Sequence, residues 1–568
     1  MKLLFGLVTL SLLSSARVVL EPVKQAHIER TATKGYKATS RADPNHLLEL
    51  SIAMKIPNEK LLESTLYRVS DPASSQYGQH LTFEETHALI APEDKSLKVV
   101  MDWLQQHNIT GIKANPSGSF INAVVTVSQA EKLLDTEYWT HIHEPSGKAV
   151  TRVLLNRTGT QHSYGVPPSV AEHVSFVAPT VTFPPSSIMT SGYRKRRAGL
   201  KEEPTPLVTP PILWKLYNIT GIGKGTSSKI SQGVASFLKQ YYEYNDLKLF
   251  WKKYKMPGTG FSWTDVPKSQ KHSPVGTEAS LDVQWLSVSG QNINTEHWST
   301  EGEQPGNPEN EPFVAFLTKL STTASPPTTF SISYGDEEDG VTESYAVRCS
   351  AEFQAAGVRG ITLLAASGDS GVGCAVGKYV PTFPASCPYI TGVGGLSGGS
   401  PGRSPTGESV AQLSGGGFSN YFARPPYQDS AVAAYTSHSL PDPGQWNHTG
   451  AGFPDIAAQA LQFDTCTEGF FYPIDGTSCA CPAASGVFSR LNQDRQDAGK
   501  KGLGWLNPMI YSGAPEQAGS HMFNDVLDGA NDHCGAASGF PAATGWDACT
   551  GWGSPNYGKL KDYVLSLP

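Results

Sequence analysis

The residue best placed to do chemistry stands in the stretch Asp475-Gly476-Thr477-Ser478-Cys479-Ala480-Cys481-Pro482. The Ser478 hydroxyl could serve as a nucleophile. Gly476 permits a tight backbone approach, and the residues after Ser478 can start a helix. Free N–H groups and the positive end of a helix suit an alkoxide-like oxygen and a developing oxyanion. Pro482 is compatible with such a start, because the first helical turn makes no intrahelical use of its N–H groups. A serine that merely caps the helix satisfies the same pattern. Two carboxylates lie at helical spacing in Thr277-Glu278-Ala279-Ser280-Leu281-Asp282. A helix there puts Glu278 and Asp282 one turn apart on one face. Their charges repel, so a structural helix gains nothing from them, although a solvated acidic face would also carry them.

A serine nucleophile needs a base. The chain has no His-Gly dipeptide, and His438 and His448 sit in polar, loop-like sequence. An imidazole base is therefore disfavoured. A carboxylate can replace it at low working pH, since Glu has a reference pKa of about 4.3 against about 6.5 for His. Cys479 and Cys481 offer thiols as an alternative, but neither has an evident His partner in sequence.

These residues need elements to hold them. Strand-like runs at 230–237, 329–333, 361–366 and 389–395 alternate with helical patterns at 241–254, 276–285 and 343–356. This is βαβ patterning, which implies a parallel sheet with crossover helices and an α/β fold. Sites in such sheets gather beyond the carboxyl ends of strands. Asp336 in Tyr334-Gly335-Asp336 and Asp369 in Ser367-Gly368-Asp369-Ser370-Gly371 both fall there, although Asp beside Gly also forms plain turns. Earlier in the chain, strand-like 46–56 and 120–127 and helical 59–70, 97–107 and 128–135 predict a compact split βαβ domain.

Between the two halves, residues 180–211 are rich in Pro, Ser and Thr and carry Arg194-Lys195-Arg196-Arg197. A solvated linker of that kind is what a processing protease can reach. At 568 residues the chain should form roughly two or three domains. A hydrophobic content of 39% supports packed cores, while 56 Gly and 41 Pro imply many turns. The net charge of -7 comes with no basic block suited to nucleic acid. Met1-Lys2, the apolar run 3–13 and Ser14-Ser15-Ala16 read as a secretory signal, too short to span a bilayer. No later segment is long and apolar enough, so a soluble, exported protein is expected. Sequons at Asn108, Asn156, Asn218 and Asn447 fit export, as do 8 cysteines all at or beyond Cys349, which suggest bridges confined to one domain.

Taken together, the motifs resemble one family. Glu278-x-x-x-Asp282, Ser367-Gly368-Asp369-Ser370-Gly371 and Gly476-Thr477-Ser478 occur in the order found in the sedolisins, also called serine-carboxyl peptidases. Asp71-Pro72-Ala73-Ser74-Ser75-Gln76-Tyr77-Gly78-Gln79-His80-Leu81-Thr82-Phe83-Glu84 is similar to the signature of their activation domain, and Thr209 to Asn218 to the opening of their catalytic domain. The resemblance implies a subtilisin-like doubly wound parallel sheet, preceded by a split βαβ (ferredoxin-like) pro-domain. It implies a signal over 1–16, a pro-segment over 17–197 acting as inhibitor or chaperone, and a peptidase domain over 198–568. Ser478 would be the nucleophile, Glu278 the general base and Asp282 the residue that orients it. Asp369 would be a protonated oxyanion donor beside the Ser478 N–H, with Asp336 as a supporting group. One structural Ca²⁺ would be held by the carboxylates of Asp525 and Asp547 and the carbonyls of Val526, Ala543 and Gly545. Ala543 stands where the family usually has Gly, and Ser478-Cys479-Ala480-Cys481-Pro482 departs from the usual Ser-Ala-Ser-Thr-Pro. A Cys374–Cys534 bridge is implied by the resemblance alone. Among the branches, secreted tripeptidyl-peptidases are most alike, acting at acid pH on free N-termini of peptides and unfolded proteins. An endopeptidase of the same family and an inactive binding protein are the alternatives. Extracellular location is expected, with a lysosome or vacuole as the alternative. No nucleic-acid or membrane partner is expected, and the oligomeric state stays open.

Overall fold

The structure is a computed structural model that describes residues 18–19, 36–144, 147–154, 164–181, 183, 207–221, 230–237, 240–256, 263–266, 275–300, 312–373, 378–398, 406–438, 440–516, 522–532 and 539–568. The leader, the Arg194–Arg197 run, Cys374 and Cys534 lie outside the described residues.

The N-terminal domain is built on β1 (Leu47–Met54), α1 (Glu59–Ser70), α2 (Phe83–Ile90), α3 (Asp94–Gln106), β2 (Lys113–Ala114), β3 (Phe120–Thr126), α4 (Val127–Leu134) and β4 (Val174–Ala178). Its sheet runs β2-β3-β1-β4 with every neighbour antiparallel. β3 therefore separates β1 from β2, which is the split βαβ arrangement expected from the sequence. Local signals set the helix starts. Thr82 with Glu85, and Thr126 with Gln129, form capping boxes that satisfy the first free N–H groups of α2 and α4.

The second domain holds β5 (Ser231–Ser236), β6 (Trp263–Val266), α5 (Thr277–Gly290), β7 (Asn294–Ser299), α6 (Pro312–Thr322), β8 (Thr329–Ile332), α7 (Glu343–Val358), β9 (Thr362–Ala366), β10 (Thr391–Ser397), β11 (Ser409–Val410), β12 (Ile456–Gln459) and α8 (Thr477–Asp497). An 8-stranded sheet runs β6-β7-β5-β8-β9-β10, with β11 and β12 both pairing β10. Only β11 is antiparallel. Every residue of β8 and β9 is buried, as strands covered on both faces should be. On one face Leu281, Trp285 and Val288 of α5 pack with Val487 and Phe488 of α8. On the other, Phe316 and Leu317 of α6 and Phe353 of α7 pack against Phe330 of β8. The sheet is doubly wound. α5 and α8 approach so closely that a Cβ on Gly486 would stand 2.6 Å from the Gly290 nitrogen, so only glycine fits there.

Two expectations need correction. Pro482 is not in the first turn of α8; it lies inside the helix, one turn beyond its start, where its ring removes the N–H that would bond the Ser478 carbonyl. The six described cysteines, Cys349, Cys387, Cys466, Cys479, Cys481 and Cys549, are buried and form no disulfide. They serve as small apolar side chains inside the packed layers. Among the sequons, Asn108 and Asn218 are exposed, whereas Asn447 is half-buried with its side-chain nitrogen donating to the Ser419 carbonyl at 2.7 Å.

The two domains meet across α7. Arg348 donates to the Met54 carbonyl at 3.0 Å, pairs with buried Glu352 at 2.6 Å, and lies over the Phe120 ring. The Leu81 N–H donates to the Val358 carbonyl at 2.8 Å. Next to it the His80 imidazole fills a cradle made by two glycines. A Cβ on Gly360 would come within 2.6 Å of its Nδ1, and one on Gly504 within 2.7 Å of its Nε2. His80 Nε2 is buried and has no hydrogen-bond partner among the described residues. The charges acting on it, Arg495 and Lys501, are both cationic. Arg495 is anchored by donating to the carbonyls of Lys501 and Pro568, both at 2.6 Å, so it stays in place.

Burial first, then those two cations, pushes His80 from 6.5 down to about 4. When the domains separate, the imidazole returns toward its ordinary value and the separated state binds the proton first. Docking is therefore fully stable above pH 6.5 and weakens as pH falls to about 4. The loss is on the order of 3 kcal/mol. Hydrogen exchange over residues 71–82 of the intact chain should lose protection across that window and keep it in His80→Gln. Identical pH midpoints for the two proteins would contradict this.

Candidate active site

α8 begins just beyond the carboxyl ends of β8 and β9, and its entry is shaped by Gly476. That residue has φ +148°, and its N–H donates to the Ala460 carbonyl at 2.7 Å. Ser478 follows as the second residue of the helix, fully buried. Its backbone N–H belongs to the first turn, which has no intrahelical acceptor.

From α5, Glu278 and Asp282 point to this place, as their spacing predicts. Both are buried. The Ser478 hydroxyl donates to the Glu278 carboxylate. Behind it, the Ser333 hydroxyl donates to Asp282 Oδ1 at 2.6 Å. Burial first, then the charge of Asp282, pushes Glu278 well above the usual carboxylate range, while the bond from Ser478 opposes the shift. Burial likewise raises Asp282, against the bond from Ser333. The two titrate as one unit. Tyr334 follows Ser333 at the end of β8. Its hydroxyl donates to the Phe237 carbonyl at 3.3 Å, and burial followed by the charges of Glu278 and Asp282 raises its phenol. Asp336 lies two residues further, half-buried on a short strand paired with Thr382 and Phe383. Ser333, at the start of this loop, contacts Asp282.

The loop after β9 brings in Asp369. Its Oδ1 accepts two hydrogen bonds from Thr477, from the N–H at 2.7 Å and from the hydroxyl at 2.9 Å. Its Oδ2 is enclosed and has no hydrogen-bond partner among the described residues. Burial, opposed by the Thr477 bonds and aided by the charge of Asp475, raises Asp369 to about 6. Glu278 Oε1 and Asp282 Oδ2 are likewise enclosed without partners among the described residues. Each of the three carboxyl groups thus keeps one oxygen free to carry a proton. The cluster can accept a proton from Ser478 on one side and donate one from Asp369 on the other. Ser333, Tyr334 and Thr477 escaped the sequence reading. Their place next to motif residues was the only available signal, since hydroxyl side chains at strand ends are common.

The residues implied for a cation are linked through loop 543–547. Gly545 N–H donates to Asp525 Oδ2 at 3.0 Å, and Ala543 N–H to Asp547 Oδ2 at 3.1 Å, so the loop 543–547 ties to both carboxylates. Asp547 is fully buried and also accepts from the N–H groups of Cys549 at 3.1 Å and Thr550 at 2.7 Å. Burial raises it to about 6, and among the described residues no cation is one of the groups acting on it. The carbonyls of Val526, Ala543 and Gly545 accept no hydrogen bond among the described residues. Gly545 takes φ +84°, whereas Ala543 is not among the residues at positive φ. Ala in place of Gly is therefore unstrained. Carboxylates and carbonyls are the hard-oxygen donors that Ca²⁺ takes, and both Asp547 oxygens already accept hydrogen bonds from the protein.

Two family models match the chain: Pro-kumamolisin, activation domain, over residues 34–183, and the Subtilase family over residues 318–509. The chain is 36% identical to the tripeptidyl-peptidase 1 of Homo sapiens over 591 residues, covering 99% of each protein. It is 36% identical to that of Mus musculus over 553 residues, 94% of each. Among solved structures, Pseudomonas sedolisin (serine-carboxyl proteinase) complexed with two molecules of pseudo-iodotyrostatin overlays with a TM-score of 0.51 at 23% identity. That likeness, which covers 64% of this chain and 99% of the other, bears on the fold.

The bond from Ser333 to Asp282 offers a direct check of the cluster. A hydrogen bond to a charged partner contributes about 1.5–3 kcal/mol. Ser333→Ala should therefore slow covalent labelling of Ser478 by a serine-directed phosphonylating probe by roughly tenfold or more. Mass spectrometry of the labelled peptide reads the rate, and an unchanged rate would remove Ser333 from the network.

Proposed function

This chain belongs to the sedolisin family of serine-carboxyl peptidases, and from that premise we propose that it releases tripeptides from free N-termini of peptides and unfolded proteins at acid pH. The observation that carries the chemistry is the Ser478 hydroxyl donating to buried Glu278, with Asp282 behind it. Ser478 Oγ attacks the scissile carbonyl while its proton passes to Glu278. The oxyanion that forms accepts hydrogen bonds from the Ser478 N–H and from a proton on Asp369 Oδ2. Glu278 then returns the proton to the leaving amine, and a water activated by Glu278 opens the acyl-enzyme. Asp282, held by Ser333, orients Glu278 and shares its proton load.

This scheme limits the pH range in both directions. Glu278 must be able to accept a proton, so turnover falls when the carboxyl pair is fully protonated. Asp369 must keep its proton, so turnover falls as pH rises through about 6. The profile of kcat/KM should be a bell on the acid side of neutrality. Asp369→Asn should lose roughly a hundredfold or more in kcat, as loss of an oxyanion donor does. A mature enzyme with maximal turnover at neutral pH would contradict the scheme.

Tripeptide release is favoured by the full-length likeness to tripeptidyl-peptidases. The test compares a peptide carrying a free amine with its N-acetylated twin. Loss of cleavage on acetylation is expected; equal rates, with cuts inside the chain, would establish an endopeptidase instead.

The N-terminal domain is read as the inhibitory part of a zymogen, with a leader over 1–16, a pro-segment over 17–197 and a peptidase domain from 198 onward. Processing would occur at Arg194-Lys195-Arg196-Arg197. The leader would direct export, so the enzyme works outside the cell or in an acidic lysosome or vacuole. One structural Ca²⁺ would be held by Asp525, Asp547 and the carbonyls of Val526, Ala543 and Gly545, tying loop 543–547 to the domain. Adding a chelator should lower the Tm of the mature protein, and Asp547→Ala should remove that response. A Tm indifferent to both would leave those residues as hydrogen-bonded turns.

A further inference from the structure

The oxyanion donor needs its proton on one particular oxygen of Asp369, and the entry to α8 shows why it sits there. Thr477 Oγ1 accepts the Gly368 N–H at 3.1 Å, so its own hydrogen is committed to Asp369 Oδ1. The Thr477 N–H ends on the same oxygen at 2.7 Å. A proton on Oδ1 would meet two donor hydrogens, whereas a proton on the enclosed Oδ2 meets none. Two residues before Thr477, the Asp475 carboxylate is tethered through Oδ1 by the Gln462 N–H at 2.6 Å and the Gln462 side-chain nitrogen at 3.1 Å. Gln462 holds a left-handed backbone, φ +62°, at the start of that tether. Asp475 is thus fixed on the approach to the helix, where its charge acts on Asp369.

We propose that Thr477 and Asp475 are positioning residues for the oxyanion donor: Thr477 fixes the acid proton on Asp369 Oδ2, and Asp475, tethered by Gln462 two residues before Thr477, sets a carboxylate beside the entry to α8. The inference rests on the reading of Asp369 as the acid donor. Thr477 donates two hydrogen bonds that favour the carboxylate, while Asp475 places a like charge that favours the acid. The two therefore act in opposite directions. Among the described residues, the other titratable groups on which the charge of Asp369 acts are Glu278 of α5 and the buried Cys479 thiol of α8.

The test is the pH dependence of kcat and KM for the processed enzyme in four variants. Thr477→Val keeps the side-chain shape and the methyl that lies against Gly395, but removes the hydroxyl donor. It should lower kcat roughly tenfold with little change in KM, and move the alkaline limb to higher pH. Thr477→Ser should restore both. Asp475→Asn keeps an acceptor for Gln462 and loses the charge, so it should move the alkaline limb to lower pH. A misfolded site would lose activity without moving the limb in opposite directions, and Tm values identify it. Limbs unmoved, or moved in the same direction, in Thr477→Val and Asp475→Asn would overturn the proposal. If Asp369→Asn alone is crippled in that case, the reading of Asp369 stands without its positioning residues. A fully active Asp369→Asn would instead remove the acid-donor reading itself.

Discussion

Two buried carboxyl groups, Glu278 and Asp282, and the enclosed Oδ2 of half-buried Asp369 gather where the helix carrying Ser478 begins. Among the described residues, no cation is among the charges acting on the first two or on Asp369. Ionised together they would repel one another in a medium that screens poorly, so they must hold protons between them. That single constraint links the fold to the chemistry. A cluster short of positive charge keeps an acid beside a base only while the surroundings are acidic. The same physics that makes the cluster costly to bury gives it a proton to accept and a proton to give.

The rest of the domain is arranged to hold that volume shut. α5 and α8 lie in close contact at Gly486 and Gly290, which sets the carboxyl pair of one helix against the serine of the other. The parallel strands β8 and β9 end at this edge, so Ser333 after β8 and Asp369 after β9 arrive from the sheet side. Cys481 fills the space beneath, its thiol reaching Ser331 and the carbonyls of Ile332 and Leu364. Pro482 within α8 frees the Ser478 carbonyl without breaking the helix, because the surrounding burial holds the turn. The N-terminal domain is gripped on the far side of the sheet through α7, and at its edge His80 sits against two cations.

What could be read from the chain was whatever local chemistry decides. Capped helix starts, apolar strand runs and the one-turn spacing of Glu278 and Asp282 are properties of neighbouring residues, and the structure places them where the pattern puts them. The four motif positions Ser478, Glu278, Asp282 and Asp369 meet at one place. Contacts made by tertiary packing left no such trace. Ser333 on Asp282 joins residues 51 apart, and Thr477 on Asp369 joins residues 108 apart. The glycine cradle of His80 takes one residue from before β9 and another from beyond α8. The thiols misled because cysteine serves equally as a bridge and as a small buried side chain. Pro482 misled because its tolerance inside α8 depends on packing around the helix rather than on the helix itself.

The central claim is that Asp369 remains a neutral acid at a pH where an ordinary aspartate is charged. Infrared difference spectroscopy of the processed enzyme, wild type against Asp369→Asn, observes this through the C=O stretch of a protonated carboxyl group. A band assigned to Asp369 should persist through pH 5 and fade around pH 6, near the elevated value of about 6 for that group. A band that vanishes near pH 4, where a solvated aspartate titrates, would contradict it.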